Sequence, residues 1–287
     1  MITAADFDFL RGFLKDRSGL DLGPEKRYLA RSRLRPLCED AGLRSLGDLI
    51  GKLRAGEDGG LADAVVVAMA THETMFFRDR LPFEAMRDSI LPGLLARRAA
   101  SRRLRIWSAA ASTGQEAYSV AIILHEMRAR LDGWRVELLG TDISPAAIAR
   151  ARDGTYSAFE VQRGLPVRYL LEHFTKEGSD WRIAEHLRSA VTFGPLNLLQ
   201  DFGRLGTFDL ILCRNLAIYL DPPTKSALFA RLASALARDG ALCLGASETV
   251  LGYTGAFVPD PDHRGFFVHG PEGTERPTRS AHMGTAG

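Results

Sequence analysis

Two acids in this chain stand where a strand gives way to a turn, and each is placed to hold a polar ligand. Asp142 ends the run Val136-Glu-Leu-Leu-Gly-Thr-Asp142, and Glu116 follows the small-residue stretch Ser108-Ala-Ala-Ala-Ser-Thr-Gly-Gln115. An acid at the C-terminal end of the second strand of an α/β domain accepts hydrogen bonds from ribose hydroxyls. The same residue also suits the N-cap of the helix that follows, so the reading needs support from elsewhere. Ala109, Ala110, Ala111 and Gly114 are small enough to let a ligand approach the backbone closely. Only one glycine of the usual dinucleotide fingerprint is present, no GK[ST] follows, and the turn has no lysine. These absences argue against a phosphate-rich ligand. The spacing from Gly114 to Asp142, longer than the roughly 20 residues of dinucleotide folds, fits equally well a fold that binds an adenosyl group without pyrophosphate. Two further polar positions sit at strand ends: Asn197 in Phe193-Gly-Pro-Leu-Asn-Leu-Leu199, and the pair Arg214-Asn215 after the apolar run Asp209-Leu-Ile-Leu-Cys213.

The elements needed to position these residues can be read from periodicity. Leu104, Ile106 and Trp107 belong to a first strand, and apolar residues at Val120, Ile123, Leu124 and Met127 mark the helix after it. A helix spans Ala146 to Arg152, and an amphipathic one spans Pro223 to Ala237. Gly240 to Gly245 and Gly265 to His269 supply the last strands, and Trp181–Ile183 and Val191–Phe193 read as short strands of an intervening segment. The strand ends at Ala110, Asp142, Asn197 and Arg214 would then converge at one edge of a parallel sheet, where α/β ligands bind.

Residues 1 to about 75 read as helical. Phe7, Leu10, Phe13 and Leu14 mark a helix ending near Ser18-Gly19, and Gly23-Pro24-Glu25 opens a second. On the second, Arg27, Arg31 and Arg35 recur every four residues, with Lys26 and Arg33 beside them. That stripe is either a solvated face or a docking surface for an acidic partner. Pro36 is expected to bend or end this helix. The segment Thr71-His-Glu-Thr-Met-Phe-Phe-Arg-Asp79 breaks the helical pattern. It reads either as a capped helix start or as polar side chains leaning over a pocket in the next domain.

Composition narrows the function classes. Hydrophobic residues make up 46% and charged residues 25%, the profile of a globular protein with ample core. Lys+Arg of 37 against Asp+Glu of 35 gives a net charge of +2, too balanced for a surface devoted to nucleic acid. There is no secretory pattern or membrane-length apolar run, and a cytoplasmic location is expected. Cys38, Cys213 and Cys243 form no C-x-x-C pair and are expected as buried reduced thiols. No metal cluster with a readable motif is present, and none is expected.

Taken in order, THETMFFRD, RIWSAAASTGQEAYS, GTDIS with ARDGTYS, FDLILCRNLAIYL and a late GASET at Gly245 to Thr249 resemble the chemotaxis receptor methyltransferases, the CheR family. The likeness covers about residues 5 to 269. It implies a Rossmann-like, S-adenosylmethionine-dependent α/β methyltransferase domain at 91–269, with a small antiparallel β subdomain inserted at about 156–193. It further implies a helical N-terminal domain at 1–75, a linker covering the cofactor at 76–90, and a disordered tail at 270–287. The implied activity is methyl transfer to glutamate side chains of chemoreceptors, giving glutamyl methyl esters and S-adenosylhomocysteine.

Motif by motif, the resemblance places His72, Thr74 and Arg78 at the cofactor's methionine end. It makes Glu116 and Asp142 cofactor-binding acids, with Asp142 the ribose ligand. Asn197, Leu198, Arg214 and Asn215 line the adenine and methionine sides, and Tyr219 stands near the methyl group. Arg78 and Tyr219 are the candidates for holding and orienting the acceptor. Lys26, Arg27, Arg31, Arg33 and Arg35 match the receptor-facing surface. His72 stands where the family usually has Asn. The short stretch Lys176 to Asp180 leads us to expect no tether to a receptor's C-terminal pentapeptide. Two other readings use the same core: a nucleic-acid methyltransferase, for which the charge is too even, and a cofactor-binding scaffold without turnover.

Overall fold

The computed structural model describes residues 2–56 and 59–271, and the expected tail lies outside them from residue 272 onward. The chain opens with α1 (Ala4–Ser18). The Thr3 hydroxyl caps its start by accepting from the Asp6 N–H, and Gly19 ends it at φ 76°, a conformation that suits glycine. A 3₁₀ turn at Pro24–Lys26 leads into α2 (Arg27–Asp40), followed by α3 (Leu46–Ala55) and α4 (Gly59–Met69). Phe7, Leu10, Leu14, Leu34, Leu49, Ile50 and Val65 are fully or almost fully buried and form a core of their own. Pro36 does not end α2, which runs on to Asp40. The missing N–H lies on an exposed face, where water can satisfy the carbonyl one turn earlier.

After the segment 71–75, which is neither helix nor strand, come α5 (Leu81–Ala85), a π turn at Met86–Ile90 and α6 (Leu91–Arg97). The α/β domain follows with β1 (Arg103–Ser108), α7 (Gln115–Glu126), β2 (Arg135–Asp142) and α8 (Pro145–Asp153). An insert then carries β3 (Thr155–Ser157), α9 (Ala158–Gln162), α10 (Val167–His173), β4 (Phe174–Glu177), β5 (Asp180–Ile183) and α11 (Glu185–Arg188). The main sheet resumes with β6 (Val191–Pro195), β7 (Phe208–Leu212), α12 (Pro222–Ala235), β8 (Leu236–Cys243), β9 (Phe257–Pro259) and β10 (Phe266–His269).

The main sheet has the order β6-β2-β1-β7-β8-β10-β9, parallel except for β10, and the insert forms its own antiparallel sheet β3-β5-β4. Strand order reverses between β1 and β7, which defines a ligand crevice at their C-terminal ends. Ile106 and Leu210 face one buried layer with Val120 and Ile123, while Trp107 and Ile211 face the other with Phe229 and Leu232. Val191–Phe193 is not part of the insert as expected. It pairs in parallel with β2, from Leu138↔Val191 to Asp142↔Pro195, as the sheet's edge strand. A three-residue alternation cannot say which of two sheets a strand joins.

The two units meet at the end of α1. Leu20 bridges Leu220, the Asp21 N–H donates to the Tyr219 carbonyl at 2.8 Å, and Asn197 Nδ2 donates to the Arg17 carbonyl at 2.7 Å. Gly19 packs so tightly here that a Cβ would lie 2.9 Å from Thr224 Cγ2. Beside it, Lys15 Nζ reaches Asp221 Oδ2 at 2.6 Å, while Asp221 Oδ1 caps α12 by accepting from the Thr224 N–H at 3.0 Å.

The hydrogen bond from Lys15, then that from Thr224, hold the Asp221 carboxyl down to about 2. A depressed carboxyl contributes stability that is complete above its unfolded value and disappears as pH falls through its folded one. Wild type should therefore lose thermal midpoint more steeply than Asp221→Asn between about pH 4 and pH 2, a difference that pH-resolved thermal unfolding will register.

Candidate cofactor and active site

The cleft at the reversal point is built by five stretches: Ala110 and Ser112 after β1, Asp142 and Ile143 at the end of β2, Leu196 to Leu199 after β6, Arg214 to Leu216 after β7, and residues 70–75 from the linker. Ser18 and Leu20 reach it from the helical unit, and Tyr219 and Leu220 close its far side. His72, Thr74, Arg78, Glu116, Asp142, Asn197, Leu198, Arg214, Asn215 and Tyr219 all line it. Of the small residues after β1, only Ala110 and Ser112 face the cleft. Gly114 serves packing instead. At φ 97°, a Cβ there would lie 2.9 Å from Ala151 Cβ and 3.2 Å from the Tyr156 hydroxyl.

Asp142 is buried and fixed by two backbone donors, with Oδ2 accepting from the Ser112 N–H and Oδ1 from the Ser144 N–H, both at 2.9 Å. Ser112 holds the left-handed conformation (φ 49°) that aims its N–H at the acid, and its hydroxyl donates to the His72 carbonyl at 2.8 Å. The His72 ring lies between α4 and the acid, with Nε2 3.2 Å from the Val67 carbonyl and Nδ1 3.8 Å from Asp142 Oδ1. An ionised carboxylate has about four lone-pair sites, so two backbone donors leave it acceptor capacity toward the cleft.

Beneath the linker lies a buried cation. Arg214 is 1% exposed at its side chain and binds Glu116 Oε2 at 3.1 Å, Asp79 Oδ2 at 2.7 Å and the Arg78 carbonyl at 2.8 Å. Burial, the largest influence, lowers its pKa, but the raising contributions, Glu116 first and Asp79 among the others, together outweigh it and hold the guanidinium above its ordinary value. Glu116 Oε1 in turn accepts from the Ser108 hydroxyl at 2.7 Å. This network grips a strained stretch, since Phe77, Asp79 and Arg80 all have positive φ (50°, 67° and 48°). Phe76 anchors the same stretch by its rings' edge contacts with Tyr156 and Phe174 at 5.1 and 5.5 Å, and Phe77 stacks on Tyr169 at 5.3 Å.

Glu248, which the sequence reading did not single out, shapes the loop after β7. Its Oε2 accepts from the Asn215 and Gly245 N–H groups at 2.7 Å each, and Oε1 from the Ile218 N–H at 3.3 Å. Asn215 takes a left-handed φ of 58° there, and a Cβ on Gly245 would sit 2.7 Å from its Nδ2. The GASET motif carried this signal, because an acid three residues after a glycine just beyond a strand folds back on the backbone donors. Ser112 was the other omission. Asn197 lines the cleft, yet its side chain is committed, with Oδ1 accepting from the Leu199 N–H at 2.9 Å and Nδ2 donating to the Arg17 carbonyl. Arg78 spends only Nη1, on the Glu73 carbonyl at 2.8 Å, and the Tyr219 hydroxyl has no hydrogen-bond partner among the described residues. Burial pushes the Cys243 thiol up to about 12 and Cys213 well above its ordinary value, so neither is a nucleophile at neutral pH.

The basic stripe lies elsewhere. Arg27, Arg31 and Arg35 are exposed, with Arg27 over the Phe7 ring at 5.6 Å and Arg35 paired to Glu39 at 2.8 Å. Lys26 is half-buried at the helix start. Arg33 departs from the stripe. It donates to the carbonyls of Met69 and Ala70 at 2.6 and 3.1 Å and to the Thr71 hydroxyl at 3.1 Å, capping the end of α4.

The cleft suits an adenosyl ligand. Its one deeply buried cation is already matched by two acids, Asp142 offers acceptors at the second strand's end, and Leu198, Leu199, Leu216 and Leu220 supply apolar walls. The match of this α/β unit to a family model of a SAM binding domain makes the chain an S-adenosylmethionine-dependent methyltransferase. The CheR methyltransferase SAM binding domain matches residues 72–262, and the CheR methyltransferase all-alpha domain matches residues 5–69. The chain is 38% identical over 262 residues to the chemotaxis protein methyltransferase Cher2 of Pseudomonas putida, covering 90% of this chain and 92% of that protein. It is 39% identical to chemotaxis protein methyltransferase 1 of Pseudomonas aeruginosa, over 86% of this chain and 90% of that one. Its identity to chemotaxis protein methyltransferase 1 of Vibrio cholerae is 40%, over 87% and 90% respectively. The chain belongs to the CheR methyltransferase family.

Removing one member of a buried charge network strands the others. Arg214→Met should cost roughly 3–5 kcal/mol of stability in urea unfolding at neutral pH. Adding Glu116→Gln to it should recover part of that loss.

Proposed function

We propose that this chain transfers the methyl group of S-adenosylmethionine to glutamate carboxylates of chemoreceptors in the cytoplasm, leaving glutamyl methyl esters and S-adenosylhomocysteine. The observation that carries the reading is the single cleft that gathers an acceptor acid, a partly free arginine and an unpartnered tyrosine hydroxyl at the sheet's reversal point. In support of the location, no helix of the described residues is long and apolar enough to cross a membrane. In this reading the helical unit α1–α4 faces the receptor and 91–269 carry the chemistry, while the cofactor is covered by residues 70–78 rather than 76–90, because Phe83, Met86 and Ile90 pack into the core of the α/β unit.

When bound, the cofactor supplies a methyl group activated by a sulfonium and a neutral thioether as leaving group. A glutamate side chain is already ionised at neutral pH, so the acceptor needs no general base. The protein's work is to orient and to exclude water. Asp142 holds the ribose hydroxyls. Thr74, His72 and the unspent N–H groups of Arg78 meet the methionine end, beside Glu116 and Arg214. Leu198 and the backbone of Asn197 and Asn215 flank the adenine and methionine sides. Tyr219 and Arg78 orient the incoming carboxylate, the arginine by charge-assisted hydrogen bonds. The exposed cations Arg27, Arg31 and Arg35, with Lys26, steer acidic receptor helices toward the cleft. Arg33, tied to the end of α4, acts by holding that surface to the linker. The β4–β5 connection turns tightly at Gly178 (φ 63°), which supports action without a pentapeptide tether.

Calorimetric titration with S-adenosylmethionine and S-adenosylhomocysteine should show one site in wild type and no measurable binding in Asp142→Ala of unchanged thermal midpoint. Equal binding by the two proteins would sink the assignment of Asp142. Arg31→Glu with Arg35→Glu should slow methylation of a receptor signalling-domain fragment roughly tenfold at low salt and less at high salt, with cofactor affinity unaltered. A rate insensitive to both substitutions would place the receptor on another face.

A further inference from the structure

Away from the residues that line the cleft, three imidazoles meet where α7 packs against the insert. His125 lies in the last turn of α7, His173 ends α10, and His186 lies on α11. Their ring centroids are separated by 4.5 Å (His125 to His186), 5.3 Å (His125 to His173) and 5.6 Å (His173 to His186). One ring nitrogen from each can be chosen so that all three lie within 4.8 Å of one another.

His173 is the member that needs explaining. It is 1% exposed, and both its ring nitrogens are buried without a hydrogen-bond partner among the described residues. A core histidine ordinarily gives its N–H to a carbonyl and takes a donor at the other nitrogen, and leaving both unmet is unfavourable. The nearest carboxylate, Glu172 Oε1, stands 3.8 Å from His173 Nε2 on an exposed side chain. Burial lowers the pKa of His173, while burial and then the His186 and Arg128 charges lower that of His125. Glu172 and Glu126 oppose both shifts more weakly. A neutral imidazole presents the lone pair that a metal requires.

We propose that His125, His173 and His186 form a binding site for one divalent transition ion, zinc(II) by its donor set, that ties the insert to α7. Three imidazoles with a fourth position left for water or Glu172 suit zinc. Zn–N bonds of about 2.0–2.1 Å place tetrahedral donors about 3.3 Å apart. The cluster therefore needs only side-chain rotation to close, and the exposed His186 is free to supply most of it. His173 and His186 flank the β4–β5 hairpin on its two sides, so one ion would pin both of its stems to the same helix. No short spacing announces the site, because its donors come from three separate elements.

The full chain should be titrated with zinc chloride against a chromophoric chelator, and with cobalt(II) as the spectroscopic probe. One zinc per chain, visible bands of four-coordinate cobalt, and a thermal midpoint raised by zinc are expected. Because even an outer-shell partner of a zinc ligand is worth ~10–100-fold in affinity, His125→Ala and His186→Ala should each weaken binding by more than ~100-fold and lose the cobalt bands. His186 is exposed, so its replacement does not put folding at stake, and the metal-free midpoint checks this for both variants. His263→Ala, at a histidine paired with Asp260, should leave metal binding unchanged. No zinc binding at micromolar concentrations, affinity retained in His186→Ala, or a midpoint unmoved by saturating zinc would each overturn the proposal.

Discussion

A buried guanidinium organises this molecule. Arg214 sits at the end of a strand with all five residues buried, where an unmatched cation could not be tolerated. Its partners are therefore obligatory. Glu116 brings the start of α7, and Asp79 with the Arg78 carbonyl brings the linker. One charge thus joins the two sides of the strand reversal to the segment that crosses above them, and holds three residues at positive φ that would relax if released. The cofactor cleft follows from this constraint, since its floor and its cover are attached to the same side chain.

The cleft is also shared between two folding units. The carbonyl that ends α1 is bound by Asn197, the loop after α1 bridges to Leu220, and Ser18 and Leu20 reach the cavity itself. The helical unit is thus part of the wall rather than an appendage. A displacement of α1 would open the side that Tyr219 closes.

The strand ends were readable from sequence because each combines an apolar run with an abrupt polar residue, a pattern that survives without tertiary information. Asp142, Arg214 and Asn215 follow that rule, and the broken periodicity of Thr71–Asp79 likewise set apart the segment that covers the cleft. Other features depend on partners that no local pattern identifies. Gly114 reads like a ligand-facing glycine but serves the packing of Ala151 and Tyr156. Arg33 groups in sequence with the basic stripe it flanks and instead turns back to the end of α4. Pro36 breaks a local rule at an exposed position where water makes the breach cheap. Val191–Phe193 alternates like a strand of the insert but pairs with β2, and Glu248 acts through three backbone N–H groups that only the fold brings together.

The pairing of β6 with β2 means that the insert leaves the sheet after α8 and returns to it at the adjacent edge. Its stems are already joined, because the Ile183 N–H donates to the Gly154 carbonyl at 2.9 Å. An excursion with closed ends can lengthen or shorten at a small entropic cost and without moving the register of the sheet that bears it. The architecture is modular in that sense. Changes on the hairpin can accumulate while the strand ends that line the cleft stay as they are.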